Sequence, residues 1–185
     1  MMFEQFLHSP IKARLVKFFV YNHNKFFDIS DIASRLALPA GKVKGHLKEL
    51  KKEGFLKSKS AHSFSVSYKF PCFNEVKALV LKFPPVSDEF LQQEAKKMGQ
   101  VKLLIIAGML MHAQKARTEI VIVGDRIVEK KAEKFLRSVE AQAGKELRYV
   151  LLTNDEFLYR KKMFDRFVLD VLELPHKKVI NKLGV

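Results

Sequence analysis

Between residues 41 and 70 the hydrophobic repeat of this 185-residue chain changes period, and few small folds accommodate the change. Val43, Leu47 and Leu50 recur at i, i+4 and i+7, which places them on one face of a helix. Gly54 follows as a helix terminator. Phe64, Val66, Tyr68 and Phe70 then alternate with Ser65, Ser67 and Lys69, the period of a strand. The pattern predicts a helix ending near Glu53, then Phe55-Leu56 and residues 64–70 as two strands around the basic turn Lys57–Ser63.

Two helices are expected upstream. Ser9 caps and Pro10 fits the first turn of one, which carries Ile11, Leu15, Phe18 and Phe19 inward with Lys12, Arg14 and Lys17 between them. Asn22-His23-Asn24 ends it. Asp28 or Ser30 caps a shorter one through Leu36, with Ile29, Ile32 and Ala33 on its apolar face. Leu38-Pro39-Ala40 is a tight connection into the third helix.

On that third helix a rotation of about 100° per residue sets Gly41, Gly45, Lys48 and Lys52 opposite the buried stripe. Lys42 and Lys44 flank them, and His46 lies nearer the buried edge. Seven lysines fall between Lys42 and Lys59 against Glu49 and Glu53 alone. The chain carries +14 at neutral pH. Residues 1–85 hold 15 basic and 6 acidic residues, a net +9, and residues 86–185 hold 19 and 14, a net +5. Such a balance favours polyanions. Lysines supply salt-dependent phosphate contacts, and a glycine among them allows close approach to a backbone. The candidate DNA contacts are Lys42, Lys44, Gly45, His46, Lys48, Lys52, Lys57, Lys59, His62 and Ser63.

The string from Leu36 to Lys59 resembles the helix-turn-helix of winged-helix regulators of the ArsR/MarR type. Lys42-Val43-Lys44-Gly45-His46-Leu47 occupies its core, with Leu50, Gly54, Phe55 and Leu56 in register. The resemblance implies a winged helix that binds double-stranded DNA, as a homodimer reading two half-sites. Lys42, Lys44 and Gly45 replace the more usual Thr or Ser, Ser, and Arg, so a base-reading arginine is missing at Gly45. One cysteine, Cys72, and scattered histidines argue against metal sensing.

Phe73–Phe83 reads as a further helix, and Pro84-Pro85 then breaks the chain, so the expected domains are 1–84 and 85–185. Beyond lie a helix from Ser87-Asp88 to Met98, an apolar strand from Val101 to Ala107 turning at Gly108, and a second strand over Ile120–Val123. A long helix over Arg126–Ala143 follows, then a strand over Leu147–Leu152. A helix through Phe164 opens with the capping box Thr153 to Glu156, and a last helix around Phe167–Leu172 leads into His176–Ile180. The fold class expected for the whole is α+β: an N-terminal winged helix-turn-helix, then a small α/β domain with a mixed sheet.

This order resembles the minimal nucleotidyltransferase fold of the DNA polymerase β superfamily. Active members hold nucleotide phosphates on a Gly-Ser turn and two metal ions on an Asp-x-Asp pair, because charge stabilisation is most of phosphoryl-transfer catalysis. Here Gly108 matches the glycine, Met109 replaces the serine, Arg117 stands in the first carboxylate's place, and only Glu119 retains a carboxylate. The segment between turn and strand is also shortened. The resemblance implies a degenerate domain with no catalytic residues, metal or cofactor, which dimerises or binds a protein or small-molecule effector. Two alternatives stand beside this reading of a transcriptional regulator: a divergent metal-dependent nucleotidyltransferase, and a protein-interaction module of an antitoxin-like or assembly complex. No apolar run reaches the 20 or so residues a membrane-spanning helix needs, and MMFEQFLHSP lacks the features of a secretory leader. With a single cysteine, these point to a cytoplasmic location.

Overall fold

The computed structural model describes residues 7–113 and 116–185. Residues 1–6, where the absence of a leader is read, and 114–115, within the shortened segment, lie outside the described residues. The chain divides into two compact units, residues 1–85 with 140–145 and residues 86–139 with 146–185. The fold is α+β.

The first unit is built on helix α1 (Pro10–Tyr21). Ser9 caps it by accepting from the Lys12 backbone N–H at 3.2 Å. Every residue from Leu15 to Val20 is buried. That includes Lys17, which the sequence pattern places on a polar face; α1 is packed by α3, α4 and β3, so little of its circumference is left for solvent. Strand β1 (Phe27–Asp28) and helix α2 (Ile29–Arg35) follow. Asp28 takes the cap position of α2, yet its side chain accepts no helix N–H.

Helix α3 (Ala40–Lys52) buries Val43, Leu47 and Leu50, the stripe expected from the spacing. Gly54 closes it with φ +82° and donates to the Lys51 carbonyl at 3.0 Å. Strands β2 (Leu56–Ser58) and β3 (Ser63–Val66) pair antiparallel, Leu56 opposite Val66. β3 also pairs with β1, Phe27 opposite Phe64, giving a three-stranded sheet in the order β1-β3-β2. β1 is not among the elements expected from the sequence, because two residues are too few to show a period. β3 also stops at Val66 rather than Phe70, because β2 begins at Leu56 and offers no ladder beyond it. Tyr68 instead donates to Asn24 Oδ1 at 2.7 Å. Helix α4 (Phe73–Lys82) completes the unit.

The second unit holds a mixed sheet in the order β6-β5-β4-β7. Helix α5 (Asp88–Lys96), capped by Ser87, leads into β4 (Gln100–Ala107) and a 3-10 turn over Gly108–Met111. Then come β5 (Ile120–Asp125), α6 (Glu129–Ala143, of which residues 140–143 belong to the first unit), β6 (Tyr149–Leu152), α7 (Asn154–Lys162), α8 (Arg166–Glu173) and β7 (His176–Asn181). β4 runs antiparallel to β5 and β7, while β5 and β6 are parallel. Leu103, Ile105, Val121 and Val123 join Phe157, Val168 and Val171 in one core cluster. Leu104, Ile122 and Ile120 are also fully buried, so both faces of the central strands are covered. β7 is a strand that the sequence pattern does not announce: it is an edge, and of its six residues only Val179 is buried.

Three helix ends differ from expectation; α5 stops at Lys96 rather than Met98, where the Met98 N–H donates to the Ala95 carbonyl in a closing turn. α6 starts at Glu129 rather than Arg126, whose φ is +55°. α7 ends at Lys162, and Phe164 adopts φ +55° in the turn that closes it. There Phe164 N–H donates to the Lys161 carbonyl and Asp165 N–H to that of Arg160, the paired bonds of a Schellman closure. Glycine is favoured at that position; an L side chain there costs about 1 kcal/mol or more. Among the described residues no helix is long and apolar enough to cross a membrane.

Gly124 sits at a close approach of β4 and β5: a Cβ there would lie 2.4 Å from the Gln100 carbonyl oxygen. Gly124→Ala is therefore expected to destabilise the second unit by about 2 kcal/mol, as overpacking does. Urea denaturation followed by circular dichroism measures it, and an unchanged midpoint would contradict the close approach.

Candidate nucleic-acid interface

With its apolar stripe buried, α3 exposes Gly41, Lys42, Lys44, Gly45, Lys48 and Lys52 together. The two acids near this face are engaged. Glu49 Oε2 pairs with His46 Nδ1 at 2.9 Å, and Glu53 Oε1 with Lys12 Nζ at 2.6 Å. His46 is half-buried and held by this contact.

The two glycines have no role in packing. A Cβ at Gly41 or Gly45 would meet nothing within 4 Å, and neither residue has a positive φ. Glycine in a helix interior costs about 1 kcal/mol relative to alanine. At Gly45, in the helix interior, the fold therefore carries a local instability that its packing does not require, on the face that exposes Lys44, Lys48 and Lys52.

The hairpin turn is tied to the start of α2: the His62 carbonyl accepts from Ile29 N–H at 3.2 Å, and within the hairpin Lys59 N–H donates to the Ser63 carbonyl at 3.1 Å. An open cleft of about 420 Å³ lies between the turn and the starts of α2 and α3, lined by Asp28, Ile29, Ser30, Ala40, Gly41, Lys44 and His62. The structure thus brings Gly41, Lys44 and His62 to one place. Lys59 is exposed on the turn, and Ser63 is half-buried in β3. Lys57 lies elsewhere: its ammonium sits 5.6 Å from the Phe26 ring centroid and 6.0 Å from that of Tyr68. Sequence spacing carries no signal of that aromatic pairing, because Phe26 is distant along the chain and meets Lys57 only through the sheet order.

In the second unit, Gly108 and Glu119 are neighbours, since a Cβ on Gly108 would lie 3.4 Å from Glu119 Oε1. Both oxygens of the Glu119 carboxylate are engaged by Arg148. Its Oε2 accepts from the backbone N–H at 2.8 Å and from Nε at 3.1 Å, and its Oε1 accepts from Nη2 at 2.8 Å. Burial acts to raise the Glu119 carboxyl, but the hydrogen bonds and charge of Arg148 outweigh it and hold it below the usual glutamate range. Arg117 is paired in turn with Asp170 at 2.6 Å. Met109 lies half-buried in the 3-10 turn. The crevice beside Arg117, lined by Ala107, Ala116, Thr118 and Asp170 among others, measures about 10 Å³, room for a single water. Among the described residues no three His, Cys, Asp or Glu side chains are placed to share a metal ion.

Compared with known proteins, the chain matches no family model, no curated protein and no solved structure.

Because the folded-state pKa of Glu119 lies below its unfolded value, its pairing with Arg148 stabilises fully above the ordinary glutamate range and is lost as pH falls through the depressed value. Glu119→Gln is expected to lower the urea midpoint at pH 7. The gap to the parent protein should narrow steadily below about pH 4. A gap that stays constant down to pH 3 would contradict the pairing.

Proposed function

We propose that this protein is a duplex-DNA-binding transcriptional regulator. In this reading the first unit is a winged helix-turn-helix, with α2 and α3 as the helix pair and β2–β3 as the wing. The second unit is nucleotidyltransferase-like without the catalytic set, and serves as a docking or dimerisation platform. The observation that carries the reading is the α3 face: lysines surrounding two glycines that the packing does not need. A bare helix backbone between lysines lets a phosphate backbone approach closely, and the lysines supply the counterion-dependent attraction. The net +9 of residues 1–85 agrees with it. A catalytic role for the second unit is disfavoured by the Arg148 clamp on Glu119 and by a crevice too small for a nucleotide.

The test is binding to random-sequence duplex DNA across a salt series. The parent protein is expected to show a steep dependence of log affinity on log salt. Simultaneous Lys44→Glu, Lys48→Glu and Lys52→Glu should weaken binding at low salt and flatten the slope by about 0.9 for each phosphate no longer neutralised. Unchanged affinity and slope would refute the reading.

Gly45→Ala separates the fold from the function. It is expected to raise thermal stability by about 0.5–1 kcal/mol while weakening duplex binding. Greater stability with undiminished binding would show that the glycine makes no close contact.

A further inference from the structure

Beside Leu50, at the end of the apolar stripe of α3, the first unit leaves a space of about 160 Å³. Three helices frame it, each with two residues that share one face: Lys12 and Val16 of α1, Leu50 of α3 with Glu53 at its end, and Val76 and Leu79 of α4. Phe55 and Phe70 add to the lining, edge to face with ring centroids 5.6 Å apart. Val16, Leu50 and Phe55 are buried in the core of the unit, whereas Phe70, Val76 and Leu79 are half-buried and pack against it. Protein interiors leave few voids larger than a water molecule. Here apolar side chains surround a space that none of them fills, and each forgoes the contacts that an atom in that space would supply.

Size and rim together define the occupant. An apolar cavity of about 150 Å³ accepts a benzene ring. The walls here are hydrocarbon, and the charged groups stand at the mouth, where Lys12 Nζ meets Glu53 Oε1 at 2.6 Å in contact with solvent. This pair presents N–H donors on one side and a carboxylate acceptor on the other. A carboxylate carried by the ring would be set against Glu53, and an ammonium against Lys12. A hydroxyl suits both, accepting from Lys12 and donating to Glu53, and it leaves the pair intact. A nucleobase has polar atoms around its whole edge, and hydrocarbon walls would leave them without partners. A side chain from another protein would need an interface around the mouth, and charged residues such as Lys12 and Glu53 are depleted from interface cores.

We infer that this space is a binding site for a small neutral molecule, one hydrocarbon ring in size and carrying a hydroxyl, with its ring among Leu50, Phe55 and Leu79 and its hydroxyl between Lys12 and Glu53. The inference is independent of duplex binding.

The experiment titrates the full-length chain with phenol and cyclohexanol, and with benzoate, benzylamine and adenine as controls. Binding is read by equilibrium dialysis and by melting temperature. Phenol and cyclohexanol are expected to bind saturably, one molecule per chain, and to raise the melting temperature, since a ligand of the folded state stabilises it. The three controls should bind about tenfold more weakly or worse. Leu79→Phe, which puts a ring of its own into the space, should melt at or above the parent temperature and lose both ligands. Lys12→Met keeps the apolar stem and removes the donor. It should weaken phenol about tenfold and leave toluene, which has no hydroxyl, unchanged. Should Leu79→Phe fold poorly, Lys12→Met decides alone. The inference is overturned by no saturable binding of phenol or cyclohexanol, by benzoate or adenine binding as tightly, or by undiminished phenol binding to Lys12→Met. Phenol held by a folded Leu79→Phe chain at the parent affinity would overturn it too, by placing the ligand elsewhere. Phenol binding that persists while duplex binding fails would remove the DNA reading and leave this one standing.

Discussion

Helix α1 is buried from Leu15 through Val20, and the arrangement of the first unit depends on that burial. A helix enclosed in this way needs apolar neighbours on several sides. α3 supplies one of them with Val43, Leu47 and Leu50, each fully or almost fully buried. Burying such a side chain is worth about 1.5–3 kcal/mol, so the three together fix the rotation of α3 about its axis. Turning the helix would expose them and bring lysines into the core, at a cost larger than most of a domain's net stability. The basic face is therefore exposed as a consequence of packing, and its position is set by residues that take no part in it.

The same reasoning explains which parts of the fold are legible in the sequence. Val43, Leu47 and Leu50 announce α3 because one face is buried and the other is not. In the second unit, β4 and β5 read as apolar runs because both their faces are covered, and their length separates them from helices. β1 and β7 escape a reading of the sequence for a common reason. Their pairing is decided by a distant partner, Phe64 for Phe27 and Leu104 for Ile180, and their own sequences carry little burial pattern. β3 reads too long because alternation continues through Phe70, although the strand that would pair with it has ended.

The candidate sites divide along the same line. The lysine face of α3 is local in sequence and legible there. The state of Glu119 is not, because its partner Arg148 lies 29 residues away. Parallel pairing of β5 with β6 sets Ile120 opposite Tyr149, which places the preceding residues, Glu119 and Arg148, side by side. A motif comparison registers that a carboxylate survives at 119. Only the strand register reveals that both oxygens of this carboxylate are engaged by an arginine.

Gly45 and Phe164 belong together in physical terms although they lie in different units. In each the residue is the reverse of what its backbone position favours: glycine in a straight helix interior, and phenylalanine in a left-handed helix closure. Neither is compensated by packing, since one has open space around it and the other is largely exposed. Local preference and tertiary environment usually agree in a folded sequence, and where they disagree without compensation the cause lies outside the folded chain. The two departures differ in kind. At 45 a side chain is absent from open space, whereas at 164 one projects into it. The two lie in different units and share no packing, so each can be removed by substitution without touching the other.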